Sequence, residues 1–226
     1  MNMPFYVAPE QMMKDRADYA RKGIARGRSL VAAVCAEGIV IAAENPSSTL
    51  RKVSEIYDRI AFAGVGKYNE FQSLKIGGVR LADLKGYQYS PEDVSASSLA
   101  NAYAQTLGQV FTHEMKPYEV EILVAQVGAT PDEPNQMFHI LYDGTVMDEQ
   151  GFTVLGGEAE RIADAVRAEF SEDMTLAAAV ALGARSLAND GETLGAAQLE
   201  VALLDRARPR RAFRRIKGDE LEALLA

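Results

Sequence analysis

Ser29 and Cys35 bracket the apolar run LVAAV and are the first side chains in this sequence with nucleophilic potential. A hydroxyl or thiol attacks only when a base stands beside it, and no motif brings a base to either residue. Cys35, at a strand position, reads as a small core residue. His113 and His139 are the only histidines. Neither has a second metal-type ligand at helical or loop spacing, and one cysteine cannot complete a zinc site, so neither a metal nor a cofactor is expected. Gly77-Gly78 and Gly156-Gly157 lack both the lysine of a phosphate-binding loop and the GxGxxG context of a dinucleotide site, which leaves packing and turn roles. The acidic pairs Asp132-Glu133 and Glu119/Glu121 fall in loop or alternating-strand contexts and read as solvated faces. Residue types and spacing therefore nominate no catalytic residue.

The elements that would position these groups are more legible. Residues 9–22 read as a helix: Pro9 suits a first helical position, Glu10 favours the N-terminal end of the dipole, Arg21 and Lys22 the C-terminal end, and Gly23 can stop it. Its apolar face is thin, with Met12, Met13, Ala17 and Ala20 alone, which points to a partner surface. Residues 30–35 and 39–43 form a hairpin across Ala36-Glu37-Gly38, with Gly38 free to take a positive φ. RIAFAGVG (59–66) reads as a strand, followed by helical spacing through Phe71, Leu74, Gly78 and Leu81. A second helix, capped by Ser90-Pro91-Glu92-Asp93, carries Leu99, Ala102, Tyr103, Leu107, Val110 and Phe111. Strands return in VEILVAQVG and in QMFHILYDGTVMDEQGFTVLGG, with Asp143-Gly144 as a hairpin turn. Gly156-Gly157 opens a helix through Ile162, Ala165, Val166 and Phe170, and residues 175–187 form another. Strands at 199–204 and 213–216 precede a short helix at 219–225. Hairpin-connected strands bearing paired helices indicate an α+β sandwich in place of alternating βαβ units.

With 226 residues the chain is long enough for one sizeable core, and 48% hydrophobic with 25% charged residues is the composition of a soluble globular protein. Lys+Arg 24 against Asp+Glu 32 gives a net charge of −8, the wrong sign for a surface that grips nucleic acid or anionic lipid. The basic run RARPRRAFRR (206–215) reads as a turn entering a strand with a solvated or subunit-facing edge. The lone Cys35 and the absence of a signal-like start in MNMPFYVAPEQMMKDR lead to the expectation of a cytoplasmic protein. No apolar run reaches membrane-spanning length.

The order of elements, together with PEQMMKDRADYARKGIARG, GIVIAAENPS, RKVSEIYDRIAFAGVGKYNEF, KPYEVEILVA and RPRRAFRRI, resembles the α-subunits of the 20S proteasome in their actinobacterial form, over nearly the whole chain. That resemblance implies a four-layer αββα sandwich of the N-terminal-nucleophile hydrolase type with an extra N-terminal helix. It divides the chain into a gating segment, residues 1–8, and a single α-type domain, residues 9–226. In catalytic β-subunits of the family the first strand begins with a threonine activated by its own free amine and a neighbouring lysine. Arg28 occupies that position here and Glu44 the place of an acidic helper, so this chain is expected to be non-catalytic.

What the resemblance implies instead is a heptameric ring of such chains that caps catalytic β-subunits, gates protein substrates destined for degradation, and docks an AAA ATPase ring through the C-terminal tails of the latter. Met1, Asn2, Met3, Pro4, Phe5, Tyr6, Val7 and Ala8 match the segment that closes the ring axis. Pro9 matches the reverse-turn proline at its base, although Ala8 stands where other members carry Ser or a similar cap. Tyr19 matches a tyrosine that steadies the open arrangement. Lys52 matches the lysine that pairs with the tail carboxylate in a pocket between neighbouring α-subunits, and Gly66 a glycine near its floor. Two other readings share the sequence features: a self-processing amidohydrolase of the same fold, and a free-standing oligomeric scaffold.

Overall fold

In the computed structural model, which describes residues 8–130, 132–188 and 192–226, the strand-forming runs pair into two antiparallel sheets of five strands each. In chain order the elements are α1 (Pro9–Ile24), β1 (Leu30–Cys35), β2 (Gly38–Glu44), β3 (Val53–Tyr57), β4 (Ile60–Gly66), α2 (Tyr68–Gln88) and α3 (Ala96–His113). They continue with β5 (Val120–Gln126), β6 (Gln136–Ile140), β7 (Val146–Asp148), β8 (Phe152–Leu155), α4 (Ala159–Glu169), α5 (Leu176–Leu187), β9 (Leu199–Asp205), β10 (Phe213–Ile216) and α6 (Asp219–Leu225). One sheet runs β10-β9-β2-β1-β8 and the other β3-β4-β5-β6-β7.

Strand alternation assigns each side chain to one of three apolar layers. Leu30, Ala32, Ala61, Ala63 and Leu123 meet between the sheets, where Ala20 and Ile24 of α1 join them. Phe62, Ile122 and Val124 face the other way, onto Phe71 of α2 and Leu99 and Leu107 of α3. Val31, Val40, Val201 and Leu203 point outward from the first sheet onto Ile162 and Val166 of α4, Val180 of α5 and Leu221 of α6. With both faces covered, β2, β4 and β9 are buried almost end to end. The result is the helix–sheet–sheet–helix sandwich expected from the sequence. Among the described residues no helix is long and apolar enough to cross a membrane.

Local chemistry shifts several boundaries. The β1–β2 hairpin pairs Leu30 with Ala43 through Cys35 with Gly38, whose φ of 146° is one that a side chain would resist. The 90–93 cap does not start α3: Ser90 accepts from the Glu92 N–H at 3.4 Å and closes a single 3-10 turn, Pro91–Asp93. Buried Val94 then extends the backbone, and Ser95 caps α3 by accepting the Ser98 N–H at 3.3 Å. Gly156-Gly157 does not open α4 either. A Cβ on Gly157 would lie 2.6 Å from the Ala25 Cα, so the pair forms a turn pressed against the α1–β1 connector and the helix begins at Ala159. Strand β3, absent from the sequence reading, is a short edge strand with a register shift between Glu55 and Tyr57.

Candidate functional site

The position that the family resemblance assigns to the nucleophile lies where the α1–β1 connector enters β1. Arg28 stands there, its Nε 2.9 Å from Glu44 Oε1 at the far end of the β1–β2 hairpin. Lys52, just before β3, directs its ammonium onto the Arg28 carbonyl. An arginine has no nucleophilic oxygen, and its carbonyl and guanidinium are both engaged. Ser29, only 7% exposed, faces the glycine turn: a Cβ on Gly156 would lie 2.5 Å from its Oγ, which leaves no room for a substrate carbonyl. Cys35 is buried, and that burial pushes its thiol pKa up to about 11, away from thiolate chemistry.

The same connector brings Lys52 and Gly66 together. The Lys52 carbonyl accepts the Gly64 N–H at 3.1 Å, which places Lys52 beside β4 two residues from Gly66. Gly27, next to Arg28, abuts Gly66: a Cβ on Gly27 would lie 2.9 Å from the Gly66 nitrogen. Gly66 itself has a φ of 102°, and a Cβ there would collide with the Glu119 carbonyl, so only glycine fits. Burial lowers the Lys52 pKa from 10.5 to about 8, assisted by Arg28 and opposed by Glu44 and Glu200. A half-buried ammonium is a group that can pair with a carboxylate.

At the other end of α1, Pro9 takes the first helical position, and the Ala8 carbonyl accepts the Met12 N–H at 3.0 Å. Ala8 contributes no side-chain cap, as its residue type requires. Tyr19 is half exposed on the same helix, with the Lys116 ammonium 5.6 Å from its ring centroid. The segment assigned to the gate, Met1, Asn2, Met3, Pro4, Phe5, Tyr6 and Val7, lies outside the described residues.

Comparison with known proteins gives the family. A family model described as "Proteasome subunit" matches residues 24–204. The chain belongs to the proteasome subunit family. It is 60% identical to a "Proteasome subunit alpha" of Sanguibacter keddieii, over all of this chain and 90% of that protein. It is 59% identical to the protein of that name from Acidimicrobium ferrooxidans, over all of this chain and 97% of that one. For the Thermobifida fusca counterpart the identity is 54%, over all of this chain and 91% of the relative. The actinobacterial α type is thus the branch of the proteasome family that this chain resembles, as its motifs indicated.

Three polar groups of this α-type chain were not legible as site residues. Glu200, 3% exposed on β9, accepts the Lys52 N–H at 2.8 Å, the Val53 N–H at 3.3 Å, the Asn45 amide at 2.7 Å and an Arg215 guanidinium N–H at 2.6 Å. It fixes the backbone that presents Lys52. The clue was its place inside the apolar run LEVALL, since a buried glutamate is retained only with partners. Glu200→Gln is expected to lower unfolding free energy by about 1–3 kcal/mol, because the amide cannot satisfy all four donors. A denaturant titration with unchanged slope and a lower midpoint checks this.

Glu119 and Glu121, read from the sequence as solvated, are 14% and 15% exposed at the side chain and pair with Lys116 at 2.8 Å and His139 at 3.3 Å. Their alternation is real, but the face they occupy is covered by α1 and by the β8 turn. Burial lowers the His139 pKa, and Glu121 and Glu149 more than reverse this, leaving it raised. The imidazole lies between two carboxylates and ties β5, β6 and the end of β7 together within one sheet. The basic run 206–215 is divided: Arg215 reaches inward to Glu200 at 2.6 Å and the partly covered Arg214 meets Asp205 at 3.5 Å, whereas Arg211 pairs with Glu55 at 3.0 Å on the exposed edge that the sequence suggested.

Proposed function

We propose that this chain is the non-catalytic α subunit of a 20S proteasome core, in which seven copies form the outer ring, residues 9–226 act as one α-type domain and residues 1–8 gate substrate passage. Peptide-bond hydrolysis then belongs to β-subunits. Lys52 and Gly66 form the part of an activator-tail pocket that this subunit contributes, and the ATPase ring docks there through C-terminal carboxylates. The cytoplasm is where such an assembly would work.

The observation that carries this reading is Arg28, locked by Glu44 and by the Lys52 contact at the position where a catalytic member needs a threonine with a free amine. Residue 28 follows a helix that is folded into the intersheet core through Ala20 and Ile24, so no cleavage there could free an amine without removing part of the fold. Purified without β-subunits, the chain is expected to turn over no fluorogenic peptide. Activity lost on Ser29→Ala alone would instead establish a hydrolase, and an intact mass shortened at an internal Ser, Thr or Cys would establish self-processing.

A further inference from the structure

One residue touches both Gly66, by its backbone, and the helix that carries the gate, by its side chain. The backbone of Glu119 clamps the floor: its carbonyl accepts the Lys67 N–H at 2.9 Å and fills the space that a Cβ on Gly66 would need. Its own N–H donates to Glu70 Oε2 at 2.7 Å, fastening it to the first turn of α2. The carboxylate pairs with Lys116 at 2.8 Å and comes within 3.9 Å of Lys67. On its other side it lies against α1, where a Cβ on Gly23 would collide with it. Lys116, which it holds, also stacks on the Tyr19 ring.

We propose that Glu119 is the positioning residue through which a carboxylate arriving in the Lys52–Gly66 pocket moves α1. The inference rests on the tail-pocket reading above. Lys67 is the movable part: it adjoins Gly66, is half exposed, and is held at only 3.9 Å by both Glu70 and Glu119. An incoming carboxylate competes for that ammonium. Once Lys67 turns toward the ligand, Glu119 keeps Lys116 as its cation and shifts with it, and the residues resting on this pair are Gly23 and Tyr19 of α1. Ionisation of Glu119 is secure, since burial raises its pKa but the hydrogen bond and charge of Lys116, with Lys67 and the Tyr19 hydroxyl, bring it below the ordinary value.

The test uses assembled core particles and a peptide of the ATPase C-terminus bearing a free carboxylate, with its C-terminal amide as control. Binding is read by fluorescence anisotropy, and gating by stimulated hydrolysis of a long peptide. Basal cleavage of a tripeptide reporter verifies assembly. Coupling between sites spans about 5–150-fold, so Glu119→Gln is expected to bind the tail within about threefold of the parent while losing about fivefold or more of the stimulation. Glu119→Asp, which retains the charge at shorter reach, should recover part of it, and it carries the test if the glutamine variant fails to assemble. Full stimulation in both variants overturns the inference, as does parallel loss of binding and stimulation, which would make Glu119 part of the pocket itself. Failure of the parent to bind the peptide, or unchanged binding by Lys52→Ala, overturns the pocket reading instead.

Discussion

Lys52→Ala in an assembled core is expected to abolish stimulation by the ATPase ring, or by a tail peptide, while leaving assembly and small-peptide hydrolysis intact. A carboxylate is the one group that every C-terminal tail offers, and an ammonium recognises it as a point charge. Losing one partner of a desolvated charge pair costs about 2–5 kcal/mol, and over several tails on one ring even the lower figure collapses avidity. The fold itself loses little. Burial disfavours the charged form of Lys52, so removing the ammonium relieves a desolvation cost even as it gives up the contact with the Arg28 carbonyl. Lys52→Arg should retain part of the response, because charge survives while length and shape do not.

The lowered Lys52 pKa adds a signature. The free pocket releases its proton near pH 8 whereas an unfolded chain holds it to 10.5, so this group makes folding more favourable as pH rises across that window. Tail binding has the opposite sign. It requires the ammonium and takes up a proton above pH 8, so tail-peptide affinity should fall by about tenfold per pH unit there. An ordinary lysine would hold its affinity through this range. A binding curve flat from pH 7 to 9.5, or an unimpaired response of Lys52→Ala, would remove Lys52 from the pocket even if the subunit assignment stood.

How far the sequence reached depends on whether a feature is local. The helix at 9–22, the hairpin around Gly38 and the Asp143-Gly144 turn are written in neighbouring residues, and all three form, with Asp143 accepting the Thr145 N–H at 2.9 Å. Residues 53–57 escaped notice because the register shift between Glu55 and Tyr57 sets the buried Val53 and Ile56 out of alternation, which erases the period of two on which strand recognition depends. The misread acids failed for a different reason. Glu119 and Glu121 alternate with apolar residues as on a solvated sheet, but Glu119 is covered by α1, roughly a hundred positions earlier in the chain, and Glu121 by the turn after β8, and no local pattern carries that information. Lys52 is the extreme case: in TLRKVSE it reads as a surface charge, and only the family resemblance singled it out. Its surroundings come from Arg28, Glu44 and Glu200, on three separate strands or their connectors.

Deleting residues 1–8 is expected to open the core permanently to long substrates. The segment precedes a helix that starts without a side-chain cap and whose first turns are exposed, so its removal takes little packing from the fold. The anchoring residues of α1, Ala20 and Ile24, lie three turns further on and stay in place. Melting temperature should therefore hardly move, while hydrolysis of long peptides and unfolded proteins rises by about tenfold or more, the factor being set by the fraction of cores open at rest. Tripeptide cleavage should change much less, because a small reporter is the least obstructed by a plug at the pore. The deletion also orders the other predictions. With no gate to move, Lys52→Ala and Glu119→Gln should have no further effect on long-peptide passage, although Lys52→Ala must still fail to bind tails. If the deleted core admitted long peptides no faster than the parent, the constriction would lie elsewhere in the ring; if Glu119→Gln still slowed them in the deletion background, its effect would be on the pore itself and not on the gate.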